Sequence, residues 1–231
     1  MLPIRMIEKY ADWQAWLHDY IVGQQALKLH AFILKEFKLE PILAEKKPRS
    51  VLDVGCGGGQ AVIRLKELYP HLDLTGIDLT ESQISRADIR AKRKRCQVQF
   101  EVADALALPF PDEHFDVVYS FGSVKHWPDP LKGIRESWRV LKPGGELLLI
   151  DSTSDATREQ MINFLAIAKM PSPLHPLLAP MLENIFVQNA RPMSIYYQIG
   201  EQLNLPPGTV TQPAALPTFL FRTRKPLAAN D

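Results

Sequence analysis

The segment Val51-Leu52-Asp53-Val54-Gly55-Cys56-Gly57-Gly58-Gly59 constrains the fold of this chain more than any other. A short apolar run of this kind reads as a buried strand. The glycines that end it permit a sharp turn at which a ligand can approach the main chain closely. Ala61, Val62, Leu65, Leu68 and Tyr69 follow with helical spacing, and Leu72, Leu74 and Ile77 supply a second strand ending at Asp78. Together these segments make a βαβ unit, which places the two strands parallel with a right-handed crossover.

The alternation continues downstream. Thr80 and Gln83 predict a capping box that opens a helix through Arg90. Val98, Phe100 and Val102 form a third strand ending at Asp104, and residues 115–119 a fourth. Asp129 as N-cap, with Pro130 at the first helical position, starts a helix with the apolar face Leu131, Ile134, Trp138 and Leu141, stopped by Pro143-Gly144-Gly145. Residues 147–150 make a fifth strand. This order predicts a doubly wound parallel sheet with its ligand at the carboxyl ends of the strands. Upstream, Trp13, Trp16, Leu17, Tyr20, Leu27, Ala31 and Leu34 recur at threes and fours, which predicts an N-terminal helical cap. After Asp151 the rhythm breaks: helical patches around Met161, Phe164, Leu165 and Ala168 run into the prolines 171, 173, 176 and 180. That stretch reads as an inserted lid. Ile195, Ile199 and Leu203 mark a final helix, and residues 209–211 with 219–223 an antiparallel pair closing the sheet edge.

Composition narrows the function classes. With 231 residues, 46% hydrophobic and 23% charged, the chain has the make-up of a soluble globular domain, not of a disordered, collagenous or disulfide-stapled one. Lys+Arg 27 against Asp+Glu 26 leaves a net charge of +1, so no global field draws it to nucleic acid or to an anionic membrane. The basic run Arg90, Lys92, Arg93, Lys94, Arg95 falls at a helix end, where it complements the macrodipole and reads as a solvated face. Cys56 and Cys96 are too few for a disulfide framework and point to a reducing compartment. Arg5, Glu8, Lys9 and Asp12 interrupt any apolar leader, and no run approaches the roughly 18 apolar residues of a membrane span, so a cytoplasmic protein is expected. The six histidines are scattered without metal-ligand spacing, and no metal is expected.

The acids choose among nucleotides. A dinucleotide fingerprint needs a glycine where this chain has Gln60, and Asp53, just ahead of the loop, would repel a pyrophosphate. A carboxylate there suits a ligand with an ammonium group, such as S-adenosylmethionine (SAM). Asp78, ending the second strand, can accept both hydroxyls of a ribose. Asp104 can accept from an adenine amino group while the Ala105 amide reaches a ring nitrogen. The competing explanation is that aspartates often end strands and cap helices.

At these motifs the chain resembles the class I SAM-dependent methyltransferases, with closest likeness to the type 11 branch. The resemblance rests on residues 51–59, Gly76-Ile77-Asp78, Ala103-Asp104-Ala105, Leu108-Pro109-Phe110-Pro111-Asp112 ahead of Phe115-Asp116-Val117-Val118, and Arg139-Val140-Leu141-Lys142-Pro143-Gly144-Gly145. It covers about residues 50–151. It implies SAM as cofactor, with Asp53, Gly55, Cys56 and Gly57 around the methionine moiety, Asp78 and Leu79 at the ribose, Asp104 and Ala105 at the adenine, and Phe121-Gly122 beneath the sulfonium. The implied fold is α/β, a doubly wound Rossmann-like sheet of seven strands, mostly parallel with an antiparallel C-terminal strand. The expected organisation is a single domain: helical cap 1–47, SAM-binding core 48–151, lid 152–190, and C-terminal helix and strand pair 191–231.

Methyl transfer from a sulfonium needs chiefly a near-attack geometry. His126, in Ser123-Val124-Lys125-His126-Trp127-Pro128, is the candidate general base where the acceptor is protonated; its bland alternative is a histidine that packs the loop. Lys125 beside it reads as a solvated charge. Ser120-Phe121-Gly122-Ser123 lacks the Asn/Asp-Pro-Pro-aromatic loop of nucleic-acid amine methyltransferases, and neither cysteine is placed to attack a pyrimidine. The expected acceptor is thus a small, partly apolar molecule with an O, N or C nucleophile. A SAM-binding regulatory subunit without turnover is the alternative, and an NAD(P)-dependent oxidoreductase a weaker one.

Overall fold

The computed structural model describes residues 49–167, 169–206 and 209–227; the expected helical cap, residues 1–47, lies outside the described residues. Seven strands form one sheet: β1 (Ser50–Val54), β2 (Asp73–Asp78), β3 (Gln99–Val102), β4 (Phe115–Phe121), β5 (Leu141–Ser152), β6 (Thr209–Thr211) and β7 (Thr218–Arg224). Their order is β3-β2-β1-β4-β5-β7-β6. β1 to β5 run parallel, while β7 is antiparallel to both β5 and β6. Reversal of strand order on either side of β1 creates the crevice in which open α/β sheets bind ligands. The expected doubly wound, mostly parallel fold is therefore the one observed.

Central strands are apolar on both faces because both are covered. Val51, Val117, Leu148 and Ile150 pack on one face against Val62 and Leu65 of helix α1 (Gln60–Leu68), Ile84 of α2 (Glu81–Lys94) and Phe164 of α4 (Arg158–Ile167). Their alternates Leu52, Val118, Leu147 and Leu149 pack on the other face against Ile134 of α3 (Pro130–Arg139) and Tyr196 and Ile199 of α6 (Met193–Gln202). Helix α5 (His175–Val187) pairs with α4 through Met161, Leu165 and Ala179.

Four local expectations are corrected. Thr80 is the N-cap of α2 but makes no side-chain capping bond; its N–H, the group a capping-box Gln83 would satisfy, instead donates to Asp78 Oδ1 at 2.9 Å. The helix also continues past Arg90 to Lys94, closing on Arg95 in the left-handed region. Leu141 is not on the α3 face: α3 ends at Arg139, and Leu141 opens β5 opposite Phe115, so β5 is far longer than residues 147–150. A register shift between Phe115 and Val117 absorbs Pro143-Gly144-Gly145. The proline cluster is largely helical: Pro176 sits in the first turn of α5, where an N–H is dispensable, and Pro180 lies inside the helix.

Asp129 caps α3 as expected, accepting from Lys132 N at 3.0 Å. Helix α3 approaches Trp127 through Gly133, where a Cβ would lie 2.4 Å from the indole. Gly133→Ala ordinarily gains about 1 kcal/mol of helix propensity. Here overpacking of about 1–3 kcal/mol outweighs it, so urea denaturation of G133A gives a lower midpoint than wild type; a higher midpoint refutes the contact.

Candidate active site

The carboxyl ends of β1, β2 and β4 converge on the glycine loop. Gly55 and Cys56 N–H both donate to Ile77 O at 2.8 Å, which turns the chain sharply off β1. Gly55 has φ +81°, and a Cβ there would lie 1.9 Å from Ser123 Oγ, so only glycine lets the loop after β4 close against the loop after β1. Gly57, at φ +54°, donates its N–H to Asp78 Oδ2 at 3.0 Å, and a Cβ on it would meet nothing within 4 Å. The loop thus leans on the second strand's acid and is open on its outer side.

Asp53 is buried between Gly76 and Tyr119 on the neighbouring strands. Its Oδ1 has no hydrogen-bond partner among the described residues. Burial pushes the carboxyl up to about 8, and the charge of Asp78 adds to the effect. Burial, then Asp53, likewise raises the Tyr119 hydroxyl. A buried carboxylate without a cation is costly, so this atom fits a ligand that brings an ammonium group.

The other expected residues occupy the same edge. Asp78 accepts from Gly57 N and Thr80 N, one bond on each oxygen, and each oxygen can take another. Leu79 is exposed beside it. Asp104 is exposed past β3, with Oδ1 accepting from Leu106 N at 2.8 Å, and Ala105 is half-buried next to it. Phe121, the last residue of β4, packs on the apolar cluster that includes Phe164, and Gly122 N–H bonds to Ile150 O at 2.8 Å. His126 ends a single 3₁₀ turn, Val124–His126, and is exposed. Cys56 is buried, and burial together with the two acids raises its thiol far above the usual range, so it offers no nucleophile.

Sequence reasoning misread Lys125 and overlooked Asp151. Lys125 is half-buried, not a solvated charge; burial lowers its ammonium pKa, against the pull of Asp151. Its N–H donates to Asp151 Oδ2 at 2.8 Å and its Nζ to Ser152 Oγ at 3.3 Å. Asp151 stands at the carboxyl end of β5, one residue before its last, as Asp53 does in β1, and that shared position was the available signal.

Residues 52–149 match the family model described as a methyltransferase domain. Solved structures agree: a SAM-dependent methyltransferase from Aquifex aeolicus superposes with a TM-score of 0.61 at 20% identity, covering 81% of this chain and 87% of its own, which speaks for the fold. Over residues 52–149 the chain is similar to a methyltransferase domain. Among sequence relatives, 27-O-demethylrifamycin SV methyltransferase of Amycolatopsis mediterranei is 45% identical over 136 residues, 58% of this chain and 50% of the relative. Demethylmenaquinone methyltransferase of Deinococcus radiodurans is 40% identical over 104 residues, 45% of this chain and 43% of the relative. The chain spans about half the length of these curated relatives or less.

Without ligand, the folded chain retains the Asp53 proton between the unfolded carboxyl value of 3.8 and about 8, whereas the unfolded chain has released it. Stability contributed by this group therefore falls as pH rises through that window and levels off above it. Asp53→Asn removes the titration. Urea unfolding across the window is expected to show wild type losing stability relative to D53N as pH rises; parallel profiles would refute a buried, unpaired carboxyl.

Proposed function

We propose that this chain is an enzyme that transfers the methyl group of SAM to a small, partly apolar acceptor carrying an O, N or C nucleophile. The observation that carries the reading is Asp53: a buried carboxylate with an unpartnered oxygen at the floor of an open glycine loop. Asp53, with Gly55, Cys56 and Gly57, is assigned to the methionine moiety and its ammonium. Asp78, with Leu79, takes the ribose hydroxyls, Asp104 and Ala105 the adenine, and Phe121-Gly122 the space beneath the sulfur. When bound, SAM supplies an electrophilic methyl on a good leaving group. The chain's own part is positioning: holding a nucleophile in line with that methyl is worth about 7–11 kcal/mol of barrier. His126, exposed after β4, is assigned as general base for acceptors that must lose a proton.

Acceptor choice is assigned to residues 152–190, which cover the sheet beyond β5 as α4 and α5, and to residues 1–47. The two relatives are named for methylation of a rifamycin and a menaquinone precursor, which supports a small-molecule acceptor over nucleic acid, as does the net charge of +1. No described helix is long and apolar enough to cross a membrane. Both cysteines are free thiols, which supports a cytoplasmic setting. A regulatory SAM-binding subunit would share the cradle and differ only in turnover. A dinucleotide enzyme is disfavoured by Asp53, whose charge would face a pyrophosphate.

Ligand at 100 times its Kd adds about 2.7 kcal/mol of stability. Saturating S-adenosylhomocysteine (SAH), the demethylated product, is expected to raise Tm clearly, and NADH to leave it unchanged. Asp78→Ala should weaken SAH binding at least tenfold on the order of one lost charge-assisted bond. Stabilisation by NADH alone would overturn the reading. With a competent acceptor, SAH release distinguishes enzyme from regulatory subunit, and His126→Asn should lower kcat least at acid pH and most where an imidazole is neutral while the acceptor still holds its proton.

A further inference from the structure

The carboxyl ends of β4 and β5 carry polar groups that the cofactor cradle does not use. Lys125 projects from a rigid base: its N–H is held by Asp151 Oδ2 at 2.8 Å, and its C=O accepts from Arg191 Nη1 at 3.3 Å. Arg191 Nη2 also donates to Trp127 O at 3.1 Å, so the guanidinium spans the whole turn after β4. Asp151 is itself secured by Ser152, whose N–H donates to Oδ1 at 2.7 Å. These bonds fix the main chain that carries Lys125, and the side chain takes its direction from its own contacts.

That direction is toward the sheet's ligand edge. The Nζ of Lys125 meets Ser152, the last residue of β5, and lies 6.0 Å from the centroid of the Phe186 ring on α5. Phe186 packs edge-on to Phe164 at 4.9 Å, and both belong to the apolar cluster that contains Phe121. A lysine nitrogen therefore stands at the rim of an aromatic wall, between the end of the sheet and the helices that follow β5. Lysines are seldom withdrawn from water. An ammonium offers only donors, and its attraction for an anion is stronger beside apolar surface than in bulk water.

We propose that Lys125 recognises the methyl acceptor and that the acceptor is a flat apolar acid, a ring system bearing a carboxylate that the ammonium binds while Phe121, Phe164 and Phe186 provide the apolar surface. The proposal rests on the methyltransferase reading above and specifies its substrate class. Asp151 and Arg191 act as positioning residues, setting the turn without touching the acceptor.

Equilibrium dialysis of the full chain saturated with SAH tests it, with three acid and amide pairs as probes: benzoate and benzamide, 1-naphthoate and 1-naphthamide, indole-3-acetate and indole-3-acetamide. At least one acid is expected to bind about tenfold or more tightly than its amide. Lys125→Met should erase that preference and Lys125→Arg retain it, while SAH still raises the Tm of both variants. If the methionine variant loses its SAH response, Lys125→Gln takes its place. No acid preferred over its amide by wild type, or a preference that survives loss of the ammonium, overturns the proposal. Failure of SAH to stabilise wild type overturns the methyltransferase reading instead, and the two failures are read from separate measurements.

Discussion

One carboxylate, Asp78, ties the ligand edge together. Its two oxygens hold the N–H of Gly57 in the glycine loop and the N–H of Thr80 at the start of α2. Loop, second strand and second helix are thereby locked to one another through a charge that a side chain carries and main-chain donors satisfy. Charge-assisted bonds of this type are about twice as strong as neutral ones. The carboxylate keeps lone pairs for a ligand, so the group that organises the loop can also read what enters it.

A second linkage runs through steric contact. Ser123 occupies the notch that Gly55 leaves, Trp127 Nε1 donates to Ser123 Oγ at 3.0 Å, and Trp127 in turn covers Gly133 of α3. The loop after β1, the turn after β4 and the third helix are packed in series. Lys125 and His126 lie between Ser123 and Trp127 in sequence, so the segment that carries them is anchored on the glycine loop. On its far side the same turn is fastened to β5 by Asp151 and to the chain ahead of α6 by Arg191. The proposed donor and acceptor sites are thus built on one continuous framework, which is what an in-line displacement needs.

Much of this was legible in the residues. Apolar runs and helical spacing located all seven strands: central strands buried on both faces leave an unbroken apolar signature, while the mostly exposed edge strand β3 shows as the alternation Val98, Phe100, Val102. Strand-end acids Asp53, Asp78 and Asp104 were legible because the topology brings the carboxyl ends of parallel strands to one edge. Local periodicity did not reveal how the Thr80 N–H would be satisfied: Asp78, two residues earlier, takes it in an Asx turn, a side-chain bond that competes with the capping box over the same few residues. Nor did it carry a helix through Pro176 and Pro180, where packing of α5 on α4 overrides the low propensity of proline.

Sequence by itself determined the family that the core resembles, the order of its elements and the acids at its strand ends, because those depend on residue type and short-range spacing. Tertiary structure decided which charges stay in water. Lys125 and the basic run at the end of α2 look alike in sequence, yet Lys92, Arg93 and Lys94 are exposed while Lys125 is drawn against Ser152 and Phe186. The difference comes from long-range contacts, twenty-six residues or more away along the chain, that no local pattern encodes. Burial is a property of the assembled layers, and the dielectric around a charge, and hence what it can bind, follows from burial.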